Sequence, residues 1–458
     1  MAEWLVTTLG YSAGFRRIFS GMSRDVMEAD PVLNERVMRE SEKRVYGQAG
    51  LQAYEATEPT GLRRLARRSL AQHLCQQALI GRAMINWVRR VLFGLAFLPL
   101  AALFVLTTLW GHTLPVDGSR PDVVVFFWYE RLYKFVGDRV FEGQTYILYR
   151  EKRVYFGLRE IGFFLRAIAS CPGMVWHPDL LCNFVRWLGY YGYVTCHYRP
   201  QKAVVHFFES TSSSSLMTAY LHEKGLQHID LQHGEVLFTA AAAFCEFDEF
   251  RVWGEDSRRI FQWRRCPPQN IKVSGTPYHR ELFSTVRNQL QPRPKRLLII
   301  DPFMYEDGKT HYVMIRNVLR QLDSEWEVCV RRHPSEVRKT LAWMEQMNSD
   351  MALTQRGIHL KDELPTVPIE AALGKSRVVL GVASSALIEA WIAGCKVIHI
   401  AGGPCPGALM DRYQGSANVF YCDENCEDQA LKAFLREPAL LTEDERRLVN
   451  HVTAIDKQ

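Results

Sequence analysis

The chain of 458 residues is defined first by what it lacks. It has no long low-complexity run and no internal repeat, which excludes solenoids, fibrous arrays and long disordered tails. It has no zinc-type Cys/His spacing, so a finger-like metal domain is excluded. No basic block carries interleaved aromatics, so nucleic acid is not expected as a partner. The 11 cysteines are odd in number and show no paired spacing. A disulfide framework is therefore excluded, and buried free thiols of a reducing compartment are expected. Charges follow soon after Met1-Ala2-Glu3-Trp4-Leu5-Val6, so no secretory signal is expected in residues 1–90. What is present is the composition of a folded protein, 47% hydrophobic and 23% charged. The length exceeds what one ordinary core holds, so two or more domains are expected. A net charge of +6 spread over this length points to a membrane surface or an anionic substrate.

From Ser41 to Arg90 the pattern is helical and basic, with Arg63, Arg64, Arg67, Arg68, Arg82, Arg89 and Arg90. A loop from Tyr54 to Gly61 divides it, giving at least two helices. Such arginines form either a solvated face or an attraction to anionic lipid. Val91 to Gly111 then carries no charge at all. That is about the 20 residues a spanning helix needs, with Arg89, Arg90 and Trp110 as interfacial anchors. If the segment spans, the charge bias puts residues 1–90 in the cytoplasm and everything after across the membrane. Pro99 in mid-run permits a re-entrant segment that returns to the same side, and this is the expectation adopted. Residues 1–120 thus read as a helical, membrane-associated extension.

The remainder reads as α/β. Strands are expected at Pro121–Trp128, Thr145–Tyr149, Ala203–Phe207, Asp230–Leu231, Phe250–Glu255 and Lys272–Pro277. A helical, aromatic stretch lies around Phe163–Tyr193, and a helix at Ser212–Lys224. After the basic linker Arg293-Pro294-Lys295-Arg296, a second set follows at Leu297–Asp301, Trp326–Val330, Arg377–Gly381 and Lys396–Ile400. Strands alternating with helices indicate parallel, doubly wound sheets. Two Rossmann-like domains, 121–290 and 291–440, with a cleft between them and a tail or helix at 441–458, account for this pattern.

The residues that carry chemistry stand where these strands end, the place where open α/β sheets bind ligands. Gln232-His233-Gly234 closes a βαβ unit. Gly234 lets the backbone turn tightly, and His233 can take a proton near neutral pH. Gly254 and Gly275 close the next two strands. In the second set, Arg331-Arg332-His333-Pro334 follows a buried strand and suits phosphate, which arginine binds bidentately. Gly381-Val382-Ala383-Ser384-Ser385 leads into an apolar helix containing Glu389. Its small-residue turn and helix start form an anion site, with Ser384 and Ser385 as hydroxyl donors. Each has a plain structural reading too, a solvated basic loop and an ordinary helix cap. Together they favour a diphosphate-like or nucleoside monophosphate group held without a metal.

The series Gln232-His233-Gly234, Trp253-Gly254-Glu255, Ser274-Gly275-Thr276-Pro277, Arg332-His333-Pro334 and Ser384-Ser385 resembles glycosyltransferases of the GT-B fold. It is similar to the enzymes of bacterial surface carbohydrate assembly that use cytidine nucleotide donors. These are capsule Kdo transferases, sialyl- and polysialyltransferases, and the glycerophosphotransferases of teichoic acid. The resemblance spans about residues 200–400. It implies that His233 is the general base and that His333 contacts or protonates the departing phosphate. Ser384 and Ser385 would bind that phosphate, beside Arg331 and Arg332, and Glu389 would help position the nucleotide. Sialyltransferases of this group carry an acidic pair before the glycine where this chain has Gln232-His233, which favours the Kdo or glycerophosphate branches. Glu306-Asp307-Gly308 imitates the acidic motif, making Asp307 the second candidate base.

The expectation is an inverting, membrane-associated transferase at the cytoplasmic face of the inner membrane. It would take a nucleotide-sugar donor and a polysaccharide or glycolipid acceptor. No cofactor is expected beyond the donor, and no metal, since no aspartate pair is spaced as a metal clamp. Two alternatives use the same residues: a UDP-sugar transferase or sugar-nucleotide epimerase, and a non-catalytic assembly factor.

Overall fold

A computed structural model describes residues 31–58, 61–79, 120–126, 143–151, 153–207, 209, 211–232, 240–287, 293–300, 308–332, 337–364, 366–381, 385–400, 415–423, 428–439 and 442–455. The uncharged run 91–111 lies outside these residues. Among those described, no helix is long and apolar enough to cross a membrane.

The chain divides into two compact units. The first takes the residues before Gly234 together with Phe238–Val252 and Ser257–Val273; the second takes Gly234–Leu237, Trp253–Asp256 and Ser274–Gln458. The long stretch of the second unit begins at Ser274 and includes the C-terminal segment.

In the first unit, helices α1 (Pro31–Tyr46), α2 (Gly50–Thr57) and α3 (Leu62–Leu79) precede the sheet. The sheet contains β1 (Val123–Phe126), β2 (Tyr146–Tyr149), β3 (Ala203–His206), β4 (Gln227–Leu231), β5 (Glu249–Val252) and β6 (Ile271–Val273). Their order is β2-β1-β3-β4-β5-β6, and every pairing is parallel. Strands β1 and β3 are buried along their whole length, which is why Val-Val-Val-Phe and Ala-Val-Val-His read as unbroken apolar runs. Helices α4 (Leu158–Ser170), α5 (Pro178–His197) and α6 (Ser214–Glu223) build the core beside it. Phe163, Phe184, Trp187, Tyr191 and Tyr220 are all buried there.

The basic helix α3 corrects one expectation. Arg64 and Arg68 face neither water nor lipid. Arg68 has no exposure, and its guanidinium contacts Glu55 at 2.6 Å and Glu246 at 2.8 Å. It also donates to the carbonyls of Phe244 and Arg265, two non-glycine residues with positive φ. Arg64 pairs with Glu246 at 3.0 Å. Arg63 stays exposed, and Arg67 lies over the Tyr54 ring. Burial of these two arginines, four positions apart on one face, packs α3 into the first unit by charge pairing. The nine described cysteines are free thiols, and all but Cys196 are buried.

In the second unit, short helix α7 (Glu255–Trp263) begins within the residues assigned to it, and α8 (Pro277–Glu281) follows. The second sheet contains β7 (Arg296–Ile300), β8 (Glu327–Arg331), β9 (Leu360–Glu363), β10 (Val378–Gly381), β11 (Lys396–Ile400) and β12 (Val419–Cys422). Between them run α9 (Gly308–Arg320), α10 (Val337–Asn348), α11 (Met351–Thr354), α12 (Ile369–Lys375) and α13 (Ser385–Ile392). Helices α14 (Asp428–Arg436) and α15 (Glu443–Thr453) come last. The order is β12-β11-β10-β7-β8-β9, all parallel. Reading outward from the centre, β7-β8-β9 run one way and β10-β11-β12 the other. That is the doubly wound order with its reversal between β7 and β10.

Candidate functional site

The register of the second sheet sets Arg331, the last residue of β8, and Gly381, the last of β10, in one row. At the carboxyl ends, Gly381 of β10 stands beside Ile300 of β7, and Ile300 stands beside Arg331 of β8. The same row continues to Glu363 of β9 and to His399 of β11. In sequence, Asp307 follows β7, Arg332 and His333 follow β8, and Ser384 and Ser385 follow β10. Because the strand order reverses between β7 and β10, this is the point where a doubly wound sheet opens a crevice for a ligand. A Cβ on Gly381 would meet the Ile300 carbonyl at 3.1 Å, so glycine there keeps the two strand ends close.

Of the residues expected to act here, His333, Asp307 and Ser384 lie outside the described residues, as do His233 and Gly234. Arg331, half-buried, donates through Nη1 to the Val367 carbonyl at 2.9 Å. Arg332 makes a bidentate pair with Asp362, at 2.8 and 2.6 Å. Its charge is therefore already balanced by the neighbouring strand, and any phosphate would share it with Asp362. Ser385 is the first residue of α13, where backbone N–H groups point out of the helix start.

Glu389 lies one turn further along α13 and is 4% exposed. Its Oε2 accepts a hydrogen bond from Tyr278 Oη at 2.9 Å. Burial, reinforced by the carboxylates of Glu389 and Glu370, holds the Tyr278 phenol protonated far above its ordinary range. The neutral phenol can therefore act only as a donor to the carboxylate.

Gly254 and Gly275 have a structural role within the second unit. A Cβ on Gly254 would fall closer than 3.0 Å to the backbone of His451 and Val452. On Gly275, whose φ is +66°, it would meet the Thr453 and Ala454 carbonyls at 2.8 Å. Both glycines thus admit the end of α15. Trp253, next to Gly254, packs edge-on to His279 with ring centroids 4.5 Å apart.

Two strand-end histidines escaped the sequence reading. His399 neighbours Gly381 in the row just described and is buried. In the first unit, the reversal lies between β1 and β3. There His206, the last residue of β3, packs against Phe126 and Trp187 with ring centroids at 5.3 and 4.7 Å. The signal available was position alone, the last or next-to-last residue of a buried parallel strand. The serine-rich turn and the start of α6 are used internally: Ser212 and Ser213 accept from Asn183, and Ser215 Oγ, in the first turn of α6, accepts from the Glu246 N–H.

No family model matches the chain, and no curated protein matches it. Among solved structures, it is similar to a UDP-N-acetylglucosamine 2-epimerase, with 13% identity and TM-score 0.45 over 74% of this chain and 93% of that one. The UDP-GlcNAc 2-epimerase from Neisseria meningitidis bound to UDP-GlcNAc gives 12% identity and TM-score 0.45, over 73% and 98%. The wall teichoic acid polymerase TagF with CDPG gives 11% identity and TM-score 0.39, over 81% and 92%. Likenesses this slight carry no argument about activity.

Proposed function

We propose that the chain is a glycosyltransferase that moves a sugar, or a glycerophosphate unit, from a cytidine nucleotide donor to a surface-polysaccharide or glycolipid acceptor. One observation carries this reading. Arg331, which ends β8, and Gly381, which ends β10, share one row at the reversal point of the second sheet, and the Arg332 and Ser384-Ser385 motifs follow them in sequence. The resemblance of the motif series to cytidine-donor transferases adds the substrate class. In this reading the donor phosphate sits at the start of α13, hydrogen-bonded by Ser384 and Ser385 and faced by the Arg331-Arg332 pair. Glu389, oriented by Tyr278, positions the nucleotide. As the glycosidic carbon separates from the phosphate, negative charge grows on the phosphate oxygens. Fixed donors placed in advance stabilise that charge without reorganising. His333 meets the departing phosphate. His233 removes the acceptor hydroxyl proton, with Asp307 as the alternative base. No aspartate pair is spaced as a metal clamp, so the transfer step is proposed to run without a divalent ion. The work would be done at the cytoplasmic face of the inner membrane, where nucleotide donors are made, with 91–111 as the membrane-associated segment.

The test is thermal stabilisation of the full chain by CMP, CDP, UMP and UDP, repeated on Ser385→Ala. A ligand at about 100 times its dissociation constant stabilises by roughly 2.7 kcal/mol. A shift with CMP or CDP that Ser385→Ala loses is the expected result. A shift with uridine nucleotides alone would replace the cytidine donor with a UDP-sugar. Absence of any shift would remove the transferase reading.

A further inference from the structure

A second cluster of chemistry-bearing side chains lies in the first unit, among residues that the transfer chemistry does not use. His73 on α3, His177 just before α5 and Asp179 in the first turn of α5 converge. One ligand atom from each lies within 4.8 Å of the other two. His73 Nε2 stands 3.1 Å from Asp179 Oδ1. The rings of His73 and His177 meet edge-on, 5.2 Å apart at 75°. All three side chains are buried.

Local sequence explains the convergence. Pro178 disfavours helical backbone at His177, which lies at φ −128° and ψ 74°, and its own place at the first helical position starts α5 immediately afterwards. His177 and Asp179 are thereby set on either side of the helix start. On α3, His73 and Gln77 are four apart and share a face. Gln77 Nε2 donates to Asp179, at 3.2 Å to Oδ2 and 3.4 Å to Oδ1, and so orients the carboxylate.

We infer that His73, His177 and Asp179 form a binding site for a divalent transition-metal ion, with zinc the expected occupant. A hydrogen-bonded His–Asp pair would need one imidazole; here a second is brought to the same point. A divalent cation placed among the three can bind the Asp179 carboxylate and a ring nitrogen of each imidazole at once. The 3.1 Å separation of His73 Nε2 and Asp179 Oδ1 suits metal–ligand bonds of about 2.0–2.2 Å at a tetrahedral centre. Nitrogen and oxygen donors without thiolate favour zinc, cobalt or nickel over copper(I) or an iron–sulfur cluster. Gln77 takes the outer-sphere place that orients a ligating carboxylate. The bound ion would fasten α3 to the start of α5.

The experiment uses the full 458-residue chain, purified without metal-affinity resin, stripped with a chelator and titrated with Zn(II) by calorimetry. Cobalt(II) is added in parallel, and its visible spectrum is recorded. Expected are uptake of one zinc per chain, a rise in melting temperature on loading, and tetrahedral d–d bands without thiolate charge transfer. His73→Gln, His177→Gln and Asp179→Asn each abolish the stoichiometric uptake. Gln77→Ala, a milder change less prone to unfold the chain, weakens it by roughly 10- to 100-fold. Folded wild-type chain that takes up no stoichiometric zinc overturns the site. Uptake that survives all three ligand substitutions overturns it equally, by placing the ion elsewhere.

Discussion

Replacing Gly254 by alanine isolates one steric demand. Its backbone φ is outside the left-handed range, so alanine brings no conformational strain of its own. The whole cost comes from the new methyl, which would enter within 3.0 Å of the His451 and Val452 backbone. These atoms belong to the last turn of α15 and cannot move aside as a flexible side chain would. Either α15 shifts as a unit or β5's exit does, and overpacking of this kind costs about 1–3 kcal/mol. For a unit of this size, that is a fall of roughly 2–12 °C in melting temperature. The helix end should show it most directly. The Ala454 N–H bonds to the Asn450 carbonyl at 2.7 Å, and its hydrogen exchange should quicken in Gly254→Ala. Gly225 is the control: its φ is +71° but nothing lies within 4 Å of a Cβ there, so Gly225→Ala carries only the backbone cost of about 1–2 kcal/mol. It should leave exchange in α15 unchanged. An unchanged melting temperature and unchanged Ala454 exchange in Gly254→Ala would refute the close packing of α15 on this glycine.

Two further expectations concern the first unit. Arg68→Met should destabilise by about 3–5 kcal/mol in urea titration, because Glu246 and two carbonyls lose a buried partner. A loss under about 1 kcal/mol, the range of a surface pair, would show that the guanidinium is solvated instead. Burial pushes the pKa of His228 down from 6.5 to about 3, with its ring held between Tyr191 and Thr218 at 2.7 Å each. The unfolded chain binds that proton near pH 6.5 while the folded chain refuses it until about pH 3. Stability is therefore full above 6.5 and is lost as the pH falls through that interval. Urea midpoints should decline less steeply with acid in His228→Gln than in wild type; identical slopes would remove His228 as the cause.

Most of the architecture was legible in the sequence because buried parallel strands advertise themselves. Leu297-Leu298-Ile299-Ile300 can hardly be anything else, and it is β7. The two strands not foreseen, β9 and β12, are the two edges of the second sheet. Edge strands are half-exposed, and Leu-Lys-Asp-Glu carries no apolar run; its Glu363 is buried because Arg296 reaches it across the sheet. Strand-end chemistry at Arg331-Arg332 and Ser385 was visible as motifs, but the sharing of one row by Arg331 and Gly381 depends on register, which no local pattern encodes. Asp362 as the partner of Arg332 was equally invisible. Arg64 and Arg68 read as members of a basic face because their partner Glu246 lies far along the chain. The motif glycines Gly254 and Gly275 were rightly seen as strand ends, but the backbone that needs them comes from α15.

The intermittent membership of the second unit bears on how the protein is made. Trp253 and Gly254 belong to it, yet they are synthesised amid the first sheet, and the chain returns to that sheet before Ser274. Domains normally complete themselves as they leave the ribosome. This one cannot, because the piece that receives α15 emerges early and α15 itself emerges only after the whole second sheet. Until then, the space beside Gly254 and Gly275 waits unfilled. A polypeptide begun at Ser274 would lack Trp253 and Gly254 altogether, so the second unit is best studied within the whole chain.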